Sequence, residues 1–583
     1  MIALPERDNI QDYYNSVSTA LGSSPIDLII FGYRFSRFTD GHRWVYHPEY
    51  NQHYPGFTGR RGQGSLEGAG SADADLDQTQ VNINAWRVLS GSGGDSSGYI
   101  ANGLLMNSEQ PDSVRYFIKV RMRLVLDTPF DNKPALVVKA VRADTTMVDT
   151  IFANEFSNYN YREVPSLVFR KMPVGQTAQP QQSINEIRVS HVPPRDTIGY
   201  ATGHPDEVIS TASNTAFDYQ LYWPGQVSCF VDYIAIDDSV SNRLFLGTND
   251  TAISGEVIRF RDSTKLIKFK INDEPASPHW PLVGYVDNII RSNLTAGNLT
   301  KRGFHYNIGY DNPDPDRMVK RNIRITGTMQ NMADIYPFKA DLSKTPWPSS
   351  NNYTSEIQWW VQTYLIDKLA INIKHSKAND RDFWYQAQAH SWENFENGIW
   401  NGDQREPTVG EIRLQVNLAL AYGAKGIQYF LYRSYDSQAD RIRGIGLTNV
   451  DGSKREIIHQ GTSYAGNKWE TVKAINQKLS SLGPTLVNLT WLGAKSWHNE
   501  TVYGSWGSLI TSIHTEYPTE TKYIETAHFQ YNNTNYFYVV NRRTKPDESR
   551  TIKLTFNNTV PWNIIDIAPG ISTRIRSNDT FSI

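Results

Sequence analysis

One acidic motif directly follows a strand-like run and has the composition needed for acid–base chemistry. The run KLIKFKI (265–271) leads into Asn272, Asp273, Glu274 and Pro275. A carboxyl group at the end of a buried strand lies in low-dielectric surroundings, so we expect the pKa of Glu274 to be raised toward that of a general acid. A turn that caps a helix has the same composition, so the motif alone leaves both interpretations open.

A long string at 405–433, REPTVGEIRLQVNLALAYGAKGIQYFLYR, gives this motif a context. It resembles the closing helix and eighth strand of clan A glycoside hydrolases, the TIM-barrel families that include family 42 β-galactosidases and family 5 cellulases. Asp273-Glu274-Pro275 then resembles the fourth-strand motif whose Glu is the acid/base. Asp334-Ile335-Tyr336-Pro337 resembles a sixth-strand Asp-x-Tyr-Pro of related hydrolases. The resemblance covers about residues 250–490 and implies a (β/α)8-type barrel with glycosidase activity.

The chain departs from these families at the seventh strand, where they have a nucleophilic Glu. The run FWYQAQAH (383–390) carries Gln386 and Gln388 instead, and an amide cannot form the glycosyl-enzyme ester. The nearest acids are Asp334, Glu393, Glu396 and Glu411. Glu411 lies in the first turn of the following helix, where stabilisation of the helix dipole is the favoured role.

Our working hypothesis pairs Glu274 as the acid with Asp334 as the base or nucleophile, and Glu393 is the other candidate for the second carboxylate. The separation of the two carboxyl groups would distinguish retention, at about 5 Å, from inversion, at about 6.5–9.5 Å. This mechanism requires no metal or other cofactor.

Polar and aromatic residues at the same predicted strand ends are candidates for sugar contacts. Aromatic rings stack on sugars, and amide, imidazole or charged groups bind hydroxyls, although each residue also suits ordinary packing. The candidates are Asp273, His305, Asn307, Tyr336, Trp384, Gln386, Gln388, His390, Trp392, Tyr432 and Arg433.

The pattern of short runs along the chain predicts four regions around these residues. Residues 1–77 read as a helix, a strand (27–35) and an aromatic loop that belong in part to the barrel. Alternating β-runs over 78–247 predict a jelly-roll-like β-sandwich. Strand–helix alternation over 248–489 predicts the barrel, and residues 490–583 read as a second β-sandwich.

The predicted fold is therefore a multidomain α/β plus all-β protein: a TIM-like barrel flanked by two β-sandwiches. Only about five barrel strands are recognisable between 265 and 433, whereas a full barrel has eight. Either the strand at 27–35 belongs to the barrel and the first sandwich is inserted after it, or the barrel is incomplete.

Composition excludes several other classes of protein. The 583 residues carry 58 Lys plus Arg and 60 Asp plus Glu, a net charge of −2, which gives no footprint for a nucleic-acid partner. A single cysteine excludes a disulfide framework. No run reaches the roughly 20 apolar residues of a membrane span. The nine Asn-x-Thr sequons favour an extracellular or cell-surface protein, although no signal peptide is visible.

Two functions remain after this reasoning. The first is a glycoside hydrolase that acts on a polysaccharide or oligosaccharide by carboxylate acid/base catalysis. The second is a non-catalytic relative that binds glycans or serves as a cell-surface structural or assembly protein, which the missing seventh-strand Glu favours. The presence of a second carboxylate within about 10 Å of Glu274 would distinguish them.

Overall fold

A computed structural model provides the structure of the chain. It describes residues 28–30, 33–39, 41–46, 65–67, 85–88, 90, 98–104, 115–141, 146–171, 186–189, 218–262, 266–276, 279–307, 315–338, 353–396, 399–437, 442–451, 453–454, 456–457, 466–507, 509–545, 548–557, 562–565, 572–575 and 580–582. The helix predicted near residues 11–22 lies outside these residues.

The first part of the described chain is mostly β-structure. Its elements are β1 (Leu28–Ile30), α1 (Tyr33–Thr39), β2 (Arg43–Tyr46), β3 (Ser65–Glu67), β4 (Ala85–Val88), β5 (Gly98–Leu104), β6 (Arg115–Leu124), β7 (Pro134–Val141), β8 (Thr146–Phe152), β9 (Arg162–Lys171), β10 (Glu186–Val189), β11 (Asp218–Trp223) and β12 (Cys229–Asp237).

Two sheets of this part share one hydrophobic core. One sheet has the order β10-β9-β6-β12-β4-β3, with β2 also pairing with β12, and the other has the order β5-β11-β7-β8. Val120 of β6, Leu136 of β7 and Trp223 of β11 are fully buried between the sheets. The strands predicted over 78–247 are therefore present, and β2 and β3 extend the sheet across the predicted boundary at residue 77.

The second part alternates helices with strands. Its elements are α2 (Ser239–Phe245), α3 (Asp250–Phe260), β13 (Leu266–Asn272), α4 (Trp280–Ser292), β14 (Gly303–Asn307), α5 (Pro315–Thr326), β15 (Gln330–Asp334), α6 (Tyr353–Trp360), α7 (Asp367–Ala378), β16 (Asp382–Gln388), β17 (Ser391–Glu396), β18 (Ile399–Gln404), α8 (Val409–Ala421), β19 (Gly426–Phe430), β20 (Tyr435–Ser437), β21 (Ile442–Ile445), β22 (Glu456–Ile457), β23 (Gly466–Asn467) and α9 (Lys468–Leu486). A π-helical segment, Val361–Ile366, joins α6 to α7.

Five of these strands, together with β1, form a curled parallel sheet that positions the site. Its order is β1-β13-β14-β15-β16-β19, and every neighbouring pair is parallel. Because β1 pairs with β13, the first sandwich is inserted between two neighbouring strands, as one of the two alternatives predicted. The described strands form a half-barrel, and a complete eight-stranded barrel is not shown.

The register of this sheet aligns polar residues of three neighbouring strands with one another. Asp334 of β15 is opposite Gln386 of β16, which is opposite Gln428 of β19. Because side chains alternate between the faces of a strand, these three project from the same face of the sheet. The next strand, β17, leaves the sheet and joins a small antiparallel sheet of order β18-β17-β21-β20.

The last part returns to β-structure. Its strands are β24 (Thr490–Ser496), β25 (Val502–Gly504), β26 (Ile510–Thr515), β27 (Ile524–Tyr531), β28 (Thr534–Asn541), β29 (Ile552–Phe556), β30 (Trp562–Ile565), β31 (Ser572–Ile575) and β32 (Thr580–Ser582). The sheets β25-β24-β27-β28 and β26-β29-β32 share a core that contains Ile513, Ile524 and Leu554. Within the described residues, no helix combines the length and apolarity that crossing a membrane requires.

Candidate active site

The two acids of the working hypothesis lie at the same edge of the parallel sheet. Asn272 is the last residue of β13 and Asp334 is the last residue of β15, with β14 between them. Asp273 and Glu274 form the turn that follows β13. Because the carboxyl ends of parallel strands meet at one edge, residues that are 60 positions apart in the chain become neighbours.

Glu274 and Asp334 form a hydrogen-bonded carboxyl pair. Glu274 is exposed, whereas Asp334 is 8% exposed. Burial raises the pKa of Asp334 well above its ordinary value, and the charge of Glu274 and the hydrogen bond to Glu274 raise it further. Two carboxyl groups in contact in a low-dielectric site cannot both ionise, so the pair holds one shared proton. We expected burial to raise the pKa of Glu274; the buried member of the pair is Asp334.

Tyr336 and Gln386 fix the orientation of Asp334. The Gln386 Nε2 donates to Asp334 Oδ1 at 3.0 Å and to the Tyr336 hydroxyl at 2.5 Å. The Tyr336 hydroxyl in turn donates to Asp334. The Tyr336 ring is stacked on Phe430 at 5.8 Å and meets His390 edge-on at 4.7 Å, so the phenol is held from three sides.

A second Tyr–Gln pair lies beside the carboxyl pair. The Gln428 Nε2 donates to the Tyr306 hydroxyl at 2.6 Å. Burial raises the pKa of Tyr306 well above its ordinary value, and the charges of Asp273 and Asp334 add to the shift. The Lys270 ammonium lies 4.6 Å from the centre of the Tyr306 ring and 3.0 Å from Asp273. The edge of the sheet thus presents three acids, two phenols, two amides and one ammonium.

The backbone at Glu274 is in the left-handed region, with a φ of 47°. A residue with a β-carbon pays roughly 1–2 kcal/mol for this conformation, and such strain is concentrated at functional sites. The strained residue is thus the one whose carboxyl group contacts Asp334.

The structure brings Asp273, Glu274, Asp334, Tyr336 and Gln386 together, and it engages two further predicted residues elsewhere. Glu393 lies in β17, where its Oε2 accepts a hydrogen bond from the Arg443 Nε at 2.6 Å. Arg433 is exposed, and its guanidinium donates to the Val450 carbonyl at 2.8 Å. We therefore do not retain Glu393 as the second carboxylate.

Three predicted polar contacts are structural hydrogen-bonding groups. Gln388 is fully buried and bonds the Phe338 amide, the Phe338 carbonyl and the Arg405 carbonyl. His390 bonds the Phe430 carbonyl at 2.8 Å and Gln404 at 2.6 Å.

His305 contacts Asn322 of α5 at 2.8 Å, so it projects toward the helices, and burial lowers its pKa to about 4. The alternation of side chains along β14 explains this placement, because Tyr306 rather than His305 faces the carboxyl pair.

The predicted aromatic residues other than Tyr336 pack against neighbouring elements. Trp384 lies against Gly426, where a β-carbon would overlap the indole. Trp392 packs on Gly444, and its ring is 6.5 Å from that of Phe430. Tyr432 contacts Trp469 at 6.0 Å. Asn307 is the last residue of β14, at the same edge as the site, and its side chain lies outside the described part of the structure.

Sequence reasoning missed Tyr306, Gln428 and Lys270. Each is a polar or amphipathic residue inside a short strand-like run: FHYN (304–307), GIQYF (426–430) and KLIKFKI (265–271). Gln428 is at the same distance from its strand end as Gln386 is from its own, and this spacing was a usable signal.

Comparison with known proteins finds similarity to solved structures at low sequence identity. No protein-family profile matches the chain, and no curated protein is similar to it. The solved structures to which it is similar include glycoside hydrolases.

Three of these structures illustrate how low the similarity is. A β-galactosidase from Marinomonas ef1 is 15% identical with a TM-score of 0.24, and the match covers 37% of this chain and 29% of that one. A GH26-CBM35 β-(1,4)-mannanase from Podospora anserina is 10% identical with a TM-score of 0.17, over 59% of this chain and 65% of that one. CBM22-1–GH10 modules of an endo-1,4-β-D-xylanase from Clostridium thermocellum are 9% identical with a TM-score of 0.23, over 65% and 73%. The match therefore spans less than a third of the β-galactosidase, and the chemistry of the site has to be argued from its own residues.

Proposed function

We propose that the protein is a glycoside hydrolase that acts on a polysaccharide or oligosaccharide, with Glu274 as the general acid. The observation that carries the proposal is the hydrogen-bonded pair of Glu274 and Asp334 at the carboxyl edge of the parallel sheet. A pair with one shared proton contains an acid and a base side by side, which is what hydrolysis of a glycosidic bond needs.

The exposed position of Glu274 suits its proposed role. In the structure the two carboxyls are in direct contact, closer than the about 5 Å of retaining enzymes or the 6.5–9.5 Å of inverting ones. Asp334 is held by Tyr336 and Gln386, whereas Glu274 lies on an exposed turn. We propose that a bound glycosidic oxygen takes the place of Asp334 as the hydrogen-bond partner of Glu274. The extracellular or cell-surface location is part of this proposal.

The test is the Glu274→Gln variant, assayed for the release of reducing ends from a panel of β-linked mannan, xylan, galactan and cellulose. Gln keeps the size of Glu but carries no transferable proton, so we expect a loss of about 10²–10⁴-fold on whichever glycan the wild type cleaves.

The matched control is Glu500→Gln, in the turn between β24 and β25. Glu500 is also an exposed Glu in the left-handed region, with a φ of 58°, so the two substitutions act on the same backbone conformation. We expect this control to retain activity. Full activity of Glu274→Gln would contradict the proposal, and binding of a glycan without any cleavage would identify the non-catalytic alternative.

A further inference from the structure

Double-displacement hydrolysis also needs a nucleophile, and the acids around the site are engaged elsewhere. The seventh predicted strand offers only the amides Gln386 and Gln388 on its site-facing side. Nearby carboxylates are paired with cations: Asp273 with Lys270, Glu393 with Arg443, Glu406 with Lys468 and Glu411 with Arg405. Asp334 is buried beneath three hydrogen-bonding partners, Glu274, Tyr336 and Gln386.

Tyr336 has the surroundings of an activated nucleophile. Its hydroxyl donates to the Asp334 carboxylate, and the hydroxyl oxygen accepts a hydrogen bond from Gln386. Gln386 also binds Asp334, so one amide orients both groups. A nucleophile bonded to a base that is itself oriented by a third group is the arrangement of covalent catalysis. Tyr336 is also more exposed than Asp334, which places the phenol between the base and the open side of the sheet.

We propose that Tyr336 is the nucleophile of this site, with Asp334 as its base and Gln386 as the residue that positions both. This inference rests on the proposed glycosidase function. It replaces the direct attack of Asp334 on the sugar, which the working hypothesis had left open, by attack of the phenol oxygen.

The first step forms one bond to the sugar and breaks another. The Tyr336 oxygen attacks the anomeric carbon while its proton moves to Asp334. The bond from the anomeric carbon to the leaving oxygen breaks, and Glu274 donates its proton to that oxygen. The product is an aryl glycoside of Tyr336.

The second step returns every group to its starting state. Water attacks the anomeric carbon and gives its proton to Glu274, and the bond to the Tyr336 oxygen breaks as Asp334 returns the proton to the phenol. The carboxyl pair holds one proton before and after each step, so two adjacent charges are never required in the buried site.

These roles place the shared proton of the pair on Glu274 and leave Asp334 ionised when Tyr336 attacks. Burial, followed by the Asp334 charge, raises the pKa of Tyr336 well above its ordinary value, so the phenol is protonated at rest and needs a base when it attacks. A carboxylate whose own pKa is raised by burial is a stronger base than an exposed one.

The decisive experiment traps the covalent intermediate on the full chain. The probes are the 2,4-dinitrophenyl 2-deoxy-2-fluoro-β-glycosides of mannose, galactose, glucose and xylose, followed by peptide fragmentation in the mass spectrometer. We expect the sugar on Tyr336. Hydroxylamine separates the alternatives chemically, because it cleaves a glycosyl ester of Asp334 or Glu274 but not an aryl glycoside.

A kinetic comparison provides the second readout. We expect Tyr336→Phe to lose at least about 10³-fold in kcat/KM and to form no adduct. The matched control is Tyr429→Phe, which removes a hydroxyl that donates to Asn476 away from the site and should leave activity unchanged.

The outcomes separate this inference from the proposed function. An adduct on Asp334 or Glu274, inversion of the anomeric configuration, or retention without any adduct would overturn the role of Tyr336 while leaving the glycosidase assignment in place. Absence of cleavage of every glycan and probe would overturn both.

Discussion

At the level of single residues, burial of the Asp334 carboxyl costs free energy of folding. A carboxyl that is 8% exposed and in contact with a second carboxyl is stabilised in its neutral form. Tyr336 and Gln386 supply hydrogen bonds that an ionised Asp334 can accept, and they offset part of the burial cost. The buried carboxyl therefore lowers the stability of the fold, as groups kept for function commonly do.

The Asp334→Asn variant should therefore change how stability depends on pH. The pKa of Asp334 is raised in the folded state, so its contribution is fully present below its unfolded pKa, about 3.9, and is lost as pH rises through the folded value. Asn has no proton to lose. We expect the melting temperature of the variant, relative to wild type, to rise progressively from pH 4 to pH 8, while hydrolysis is lost. A difference that is constant across this range would contradict the prediction.

The sequence predicted the acids of the site better than their surroundings. Glu274 was recognisable because it directly follows a strand-like run, and Asp334 because Asp334-Ile335-Tyr336-Pro337 resembles a motif of related hydrolases. Gln388 and His390 were predicted as sugar contacts, and in the structure they bond the backbone carbonyls of Phe338 and Phe430, which the sequence pattern does not place beside them. Tyr306 and Gln428 were missed because their meeting depends on which strands become neighbours in the sheet.

At the level of elements, two acids that were candidates for catalysis form ion pairs that differ in burial. Glu411 closes the start of α8: it caps the helix with Thr408 and accepts two hydrogen bonds from Arg405, at 2.9 and 2.6 Å. Glu393 is paired with Arg443 across two strands of the small antiparallel sheet, and both side chains are partly exposed. The first pair is buried and the second is screened by water.

The two pairs should differ in their effect on stability when one partner is removed. Glu411→Ala leaves the buried Arg405 charge without its partner and removes a helix cap, so we expect a loss of about 3–5 kcal/mol in the free energy of unfolding. Glu393→Ala should cost less than about 1 kcal/mol. Denaturant unfolding measures both. Similar losses for the two variants would contradict the assignment of Glu411 to the structure of α8.

Several strands and helices could be predicted from the spacing of hydrophobic residues along the chain. The strands at 266–272 and 382–388 and the helix at 409–421 overlap the predicted runs. The number of strands in the parallel sheet could not be predicted from this period, because β1 lies more than 200 residues before its partner β13 in the chain. The spacing of hydrophobic residues identifies a strand locally. Which strands pair across the inserted sandwich depends on how the whole chain folds.

At the scale of the whole molecule, the sheet β25-β24-β27-β28, called the C-terminal sheet below, shares one core with the helices that pack on the parallel sheet. Trp491 and Phe529 belong to the same buried cluster as Leu418 of α8. The Trp491 indole donates to the Ala421 carbonyl at 3.0 Å. The predicted boundary at residue 489 therefore falls beside a continuous core, and we expect the two regions to unfold together.

A buried ion pair in this junction provides the test of that expectation. Arg542 and Glu525 are fully buried and 3.0 Å apart. Glu525 also accepts a hydrogen bond from Tyr422 at the end of α8, and Arg542 donates to Gln358 of α6, so the pair joins the sheet to two helices. Arg542→Ala leaves the Glu525 carboxylate buried without its partner, and we expect a loss of about 3–5 kcal/mol in the free energy of unfolding.

The pattern of amide exchange distinguishes one cooperative unit from two. In Arg542→Ala we expect protection to fall both in β27 and in α8, because each loses the same junction. The control is Lys473→Ala, which breaks an exposed pair with Glu470 and should cost less than about 1 kcal/mol. The double substitution of Arg542 and Glu525 by Met should recover much of the loss, since no uncompensated charge remains in the core. Loss of protection in β27 alone would show that the C-terminal sheet unfolds independently, and the boundary at residue 489 would then separate two folding units.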